Sequence, residues 1–233
     1  IYLPQDYYVS NQDYPVLYMH DAQNLFDAFY SFSGEWEIDE SMEINQNNGG
    51  LPAIIVGIEN GGANRVAEYT PWSHPQYGGG AGELYVDFLV NTLKPYIDAN
   101  FRTRPGRETT GIMGSSLGGL ISNYAALERP DVFGKAGVFS PSFWFSDSSF
   151  THAATQGHSQ PMRIYMIGGD QEGSNMVGNM YAMRDTLLAN GFSASELNVT
   201  NHGDGQHSEW YWRREFPAAF NWLFADVLLD RSS

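Results

Sequence analysis

The sequence predicts an α/β fold, with a mostly parallel central sheet covered by helices on both faces. Three observations predict it. Short apolar runs alternate along the chain with longer stretches of helical periodicity. Several of those runs lack in/out alternation, as strands buried on both faces do. The 233 residues are 42% hydrophobic and 17% charged, enough apolar material for a sizeable core and too little charge for wholesale disorder. No repeat, charge run or long linker marks a boundary, so residues 1–233 read as one domain.

The elements follow in order. The opening Ile1-Tyr2-Leu3-Pro4 reads like the inside of a strand, with neither an initiator Met nor a basic leader, so further residues are expected upstream. Strands are expected at 16–19, 53–58, 109–113, 135–139, 163–167 and 196–200. A helix over 83–97 sets Leu84, Tyr85, Phe88, Leu89, Leu93, Tyr96 and Ile97 at helical spacing, with a kink at Pro95. The Ala/Leu-rich stretch 117–127 closes ahead of Pro130. Ser174 is placed to cap a helix over 175–189, which Asn190-Gly191 stops. A long aromatic helix over 209–229 has Ser208 as its cap and Pro217 as an interruption. Segments 45–50 and 78–82 read as loops.

Composition removes several functions. Net charge is −15, which argues against tracking nucleic-acid phosphates or anionic membrane surfaces. There is no cysteine, so disulfides, thiolate metal sites and cysteine nucleophiles are excluded; the absence fits an exported bacterial protein. No apolar run reaches the roughly 18 residues of a spanning helix. The six His are scattered without zinc-ligand spacing, and the sequence predicts neither a metal nor a cofactor.

Gly114-Ser115-Ser116-Leu117-Gly118-Gly119 contains Gly-x-Ser-x-Gly centred on Ser116. At this glycine and serine content the bare pattern is expected about 0.2 times by chance, so its context decides. An expected strand leads into it and an expected helix leaves it, the strand–turn–helix setting of a serine nucleophile. A side chain at 114 or 118 is expected to collide where strand and helix meet. The Leu117 N–H, at the helix start, is placed to receive an oxyanion. The base is expected between the last strand and the last helix, which favours His207 over His202. The orienting acid is expected after the penultimate strand, in Gly168-Gly169-Asp170-Gln171-Glu172-Gly173. Either Asp170 or Glu172 could hold the imidazole in the right tautomer.

The chain resembles the esterase D-like esterases of the α/β-hydrolase superfamily, among them carbohydrate esterase family one and the enterochelin esterase-like proteins. The resemblance runs over nearly the whole chain. It rests on Tyr18-Met19-His20-Asp21-Ala22-Gln23-Asn24-Leu25-Phe26-Asp27, on Gly57-Ile58-Glu59-Asn60 with Arg65 and Glu68-Tyr69-Thr70-Pro71-Trp72, on Phe101-Arg102-Thr103, on the 111–119 block, and on Phe139-Ser140-Pro141-Ser142-Phe143-Trp144. It implies a Ser–acid–His hydrolase of carboxylic esters, with Ser116 as nucleophile and His207 as base. It favours Glu172 as the acid. It places the second oxyanion donor in loop 21–23, at the Gln23 N–H. Ala22 stands where the family often has glycine. If that position needed a positive φ, Ala would cost on the order of 1 kcal/mol.

Trp36, Trp72, Phe143, Trp144 and Trp210 fall in loops expected near the strand ends. Of these, Trp72, Phe143 and Trp144 are the expected substrate-binding residues. The expected partner is a small-molecule or carbohydrate-linked ester: short-chain acyl, feruloyl or siderophore-type. An acyltransferase of the same fold and an inactive ligand-binding homologue are the rival readings.

Overall fold

A computed structural model describes residues 1–230. Strands β1 (Val16–His20), β2 (Ile54–Ile58), β5 (Thr110–Ser115), β6 (Lys135–Phe139), β7 (Arg163–Gly169) and β8 (Leu197–His202) form one sheet in the order β2-β1-β5-β6-β7-β8. Every pairing in it is parallel. Strands β3 (Ser73–His74) and β4 (Gly78–Gly79) make a separate small antiparallel pair. The opening residues give Tyr2 an antiparallel bridge to Ile55 at the sheet edge.

The helices are α1 (Ile38–Asn47), α2 (Arg65–Glu68), α3 (Gly82–Phe88), α4 (Lys94–Asn100), α5 (Leu117–Glu128), α6 (Ser148–Gln156), α7 (Met176–Ala189), α8 (Glu209–Leu223) and α9 (Ala225–Asp230). They cover both faces. Val16, Tyr18, Ile112, Val138 and Met166 pack on one side with residues of α3, α5 and α7. Leu17, Met19, Met113, Phe139 and Ile167 pack on the other with α1, α8 and α9. Successive strand residues point to opposite faces, and both faces are buried. That explains the unbroken apolar runs.

Five local expectations are corrected. Helix α1 occupies part of the expected 45–50 loop; only Ile38 and Met42, one turn apart, are buried, so its apolar stripe is too thin to stand out. Helix α6 was not foreseen for the same reason, with only Ser149 and Ala153 buried. The 83–97 helix is split into α3 and α4 by a π-type turn at Leu89–Leu93, which seats Pro95 in the first turn of α4, where its missing N–H costs least. Asn175, at φ 52°, takes the N-cap position of α7 instead of Ser174. Pro217 lies inside an unbroken α8, and the break falls at Phe224, whose ring packs over Gly111 of β5.

Because the strands are parallel, their carboxyl ends share one edge. The loops leaving β1, β5, β6, β7 and β8 gather there, the place where open α/β sheets bind ligands.

Candidate active site

Ser116 joins β5 to α5 with φ 61° and ψ −123°, backbone that L residues rarely adopt. Its N–H donates to Phe139 O at 2.9 Å, and its carbonyl accepts from Ser142 N–H at 3.1 Å. Gly114 is sterically required: a Cβ there would lie 2.9 Å from the His20 ring and 3.0 Å from the Gly118 backbone. The expected collision at Gly118 is absent, since a Cβ there would meet its nearest neighbours only at 3.5 Å. Leu117 begins α5, so its N–H has no carbonyl one turn earlier. The Ser116 hydroxyl pairs with Ser142 Oγ at 3.3 Å.

His207 Nδ1 lies 2.7 Å from Glu172 Oε2. The Glu172 side chain is 0% exposed and that of His207 41%. A carboxylate only accepts, so Nδ1 carries the hydrogen, and in the neutral imidazole Nε2 keeps its lone pair. The other Glu172 oxygen, Oε1, accepts from Ser140 Oγ–H at 2.7 Å and Gly169 N–H at 2.6 Å. Asp170 points elsewhere and accepts from Asn201 Nδ2 at 2.7 Å. His202 is committed to the Tyr211 hydroxyl at 2.8 Å. The acid and base loops meet because Gly169 and Gly205 touch. A Cβ on Gly205 would sit 2.6 Å from Gly169 Cα, so glycine is needed there.

On the opposite side, Asp21 turns the chain after β1 with φ 58°. The positive φ falls at Asp21, while Ala22 has none, so alanine carries no strain at its position. The Ala22 methyl instead fills the space over Gly57 of β2. The Asp21 carboxylate accepts from Arg65 Nε at 2.7 Å, Arg65 Nη2 at 2.9 Å and Asn60 Nδ2 at 2.6 Å. Gln23 is fixed by reciprocal bonds to the Asn60 backbone, 3.1 Å to its carbonyl and 3.2 Å from its N–H. Beneath the elbow, His20 is buried with Nδ1 2.8 Å from the Tyr85 hydroxyl, and burial pushes its pKa down to about 4.

These pieces line one cavity of about 710 Å³, with Asp21, Gln23, Asn60, Arg65, Ser116, His207 and Glu209 on its walls. Its aromatic lining is Tyr30, Phe32, Trp36 and Trp212. The three expected substrate-binding aromatics are not in that lining. Phe143 is buried in the core under α6 and α7. Trp72 packs edge-on to Tyr124 and His152. Trp144 is half-exposed in a separate cluster with His74 and Tyr77. Trp210 faces the Arg214 guanidinium instead of the cavity. Sequence reasoning gave Ser140 and Trp212 no role; their only signal was their place beside the expected strand end and base.

Among the described residues, one carboxylate group has ligand atoms close enough for a metal: Glu35, Asp39 and Glu40. Burial, with the repulsion of neighbouring carboxylates, raises Asp39 to about 6. No histidine joins the group, and none of the three lines the cavity. No helix among the described residues is long and apolar enough to cross a membrane.

A parallel sheet with a serine on a strained strand-to-helix turn is the arrangement of the α/β-hydrolase fold. The chain belongs to the Esterase family, described as "Putative esterase", whose model matches residues 1–223. It is 29% identical to YbbA, an uncharacterized protein of Bacillus subtilis, over 96% of this chain and 91% of that protein. It is 28% identical to the ferri-bacillibactin esterase BesA of the same organism, over 68% of this chain and 60% of BesA. Among solved structures, an IroE-like serine hydrolase from Shewanella oneidensis superposes with a TM-score of 0.76 at 23% identity, covering 97% of this chain and 74% of that one. The feruloyl esterase module of Clostridium thermocellum, complexed with sinapinate, does so with a TM-score of 0.73 at 16% identity, covering 96% and 81%. Both likenesses bear on the fold.

Proposed function

We propose that this esterase is a serine carboxylic-ester hydrolase in which Ser116 is the nucleophile, His207 the base and Glu172 the orienting acid. One observation carries the reading: His207, bonded to Glu172 at 2.7 Å, lines the same cavity as a serine on a strained elbow. His207 Nε2 takes the Ser116 proton as Oγ bonds to the ester carbonyl carbon. The oxyanion is received by the Leu117 and Gln23 backbone N–H groups. Collapse breaks the bond to the alcohol oxygen, which leaves with the proton from Nε2. Water repeats the sequence on the acyl-enzyme, releasing the acid and restoring Ser116. The Ser116 hydroxyl pairs with Ser142 Oγ, and a nucleophile–base bond often tightens only with substrate bound.

The cavity suits a small ester with an aromatic or acyl group against Tyr30, Phe32 and Trp36. Relatives named for ferri-bacillibactin and feruloyl esters support that class. Replacing Ser116 with Ala is expected to abolish p-nitrophenyl acetate hydrolysis with the fold intact. A serine-directed phosphonate is expected to label the parent at Ser116 alone. Undiminished turnover in the Ala variant would end the proposal. Product analysis with added alcohol separates hydrolysis from acyl transfer.

A further inference from the structure

Ser140 follows β6 and precedes Pro141. Its φ is 42°, and a following proline ring pushes its predecessor toward extended backbone, so the conformation is disfavoured twice. Strain of this kind persists where the surroundings over-determine it. Here they do. Ser140 N–H donates to Ile167 O at 2.7 Å, and the residue is completely buried. Its single hydroxyl hydrogen goes to Glu172 Oε1, which leaves its lone pairs for Trp212 Nε1–H at 2.8 Å. The direction of donation is therefore fixed: Trp212 to Ser140 to Glu172. With Gly169 N–H also on Oε1, that oxygen is satisfied, and Oε2 is left to His207.

Trp212 touches more than Ser140. Its ring meets the His207 ring edge-on, with centroids 5.1 Å apart and planes at 85°. Its other neighbour is Trp36, at 5.7 Å, which stacks on Phe139. One indole thus contacts the base, the cavity wall and, through a serine, the acid.

We propose that Ser140 and Trp212 are positioning residues that lock the Glu172 carboxylate in one orientation and couple it to the aromatic wall of the cavity. This rests on the roles given above to Glu172 and His207. Ser140 is fully buried and acts through Glu172; Trp212 lines the cavity and acts on the chemistry through Ser140 and the His207 ring.

The test uses Ser140→Gly, Ser140→Ala, Trp212→Phe and the Ser140→Gly/Trp212→Phe double variant, with Ser116→Ala as blank. Glycine accepts φ 42° better than serine, so a purely conformational role predicts that Ser140→Gly is harmless. The positioning role predicts a kcat loss of about ten- to a hundredfold on p-nitrophenyl acetate, with KM within about twofold. Trp212→Phe keeps an aromatic ring, though a smaller one, and removes the donor, and is expected to lose less, about three- to tenfold. The double variant is expected to fall no further than Ser140→Gly, because the chain is already cut. The low-field Nδ1–H proton resonance of His207 reads the Glu172 bond without turnover, and should shift or broaden in both single variants. Parent-like kcat with an unmoved His207 proton in Ser140→Gly and Trp212→Phe, or losses that multiply in the double variant, overturns the proposal. Undiminished activity in Ser116→Ala would instead overturn the triad assignment, and the proton resonance would still decide whether Ser140 and Trp212 orient Glu172.

Discussion

Two buried carboxylates flank the cavity that holds Ser116, and their surroundings differ in kind. Asp21 is clamped by both arms of the Arg65 guanidinium and by Asn60. Its charge is cancelled by a full opposite charge, so it works as a strut that shapes loop 21–23. Glu172 meets only a hydroxyl, a backbone N–H and an imidazole. Dipoles hold it in place without cancelling it. In the proposed reaction, its negative charge would stabilise the imidazolium formed as His207 takes a proton. On the proposed reading, the identity of the neighbours, more than the depth of burial, separates the strut from the orienting acid.

The largest expected effect tests that distinction directly. Glu172→Gln should lower kcat by about 10³–10⁴, the scale seen when the triad acid of other serine hydrolases is made neutral, with little change in KM. A loss of tenfold or less would place the orienting charge elsewhere. Next comes a pH effect on the strut side. His20 titrates at about 4 when folded, against 6.5 when exposed, so the unfolded chain binds a proton first. Stability should therefore be full above pH 6.5, fall between 6.5 and 4, and level off below, a loss of about 3 kcal/mol from this group. Urea unfolding across that range checks it, together with an NMR titration of the His20 ring. A ring that titrates near 6.5 in the folded protein would remove the effect.

Asp21→Asn should cost less, about 2 kcal/mol, because Arg65 is left partly buried and unpaired. Replacing Arg65 with Met in the same chain should restore part of that loss, since no stranded charge remains. No second substitution should restore Glu172→Gln in this way. If the two acids respond alike, the contrast between strut and orienting charge is wrong. The smallest expected effect belongs to Asp170→Asn, with kcat within about twofold of the parent, because its carboxylate bonds Asn201 outside the imidazole's reach.

Much of the fold was legible because its cause is local. Five largely buried strands and the half-buried edge strand β8 wrote short apolar runs into the sequence, and all six appear within a few residues of the expected limits. Helices α1 and α6 bury too few side chains to write such a pattern. The aromatic residues show the same limit from another side. Trp72, Phe143 and Trp144 lie in loops near the strand ends, yet a loop position does not say which way a ring turns. Phe143 turned into the core, and Trp144 joined a surface cluster. The cavity took its aromatic wall from Tyr30, Phe32, Trp36 and Trp212.

Sequence alone determined the six sheet strands, the helices with a broad apolar face and the glycine-bounded turn at Ser116, since backbone preference and apolar periodicity act over a few neighbouring residues. Tertiary structure decided which carboxylate meets the imidazole. Asp170 and Glu172 share one loop and one chemistry, and the choice came from contacts across more than 30 residues of chain. Gly205 closes on Gly169, and Ser140 and His207 both bond Glu172. Hydrogen-bond direction and close packing are properties of the folded neighbourhood, and no local pattern encodes them.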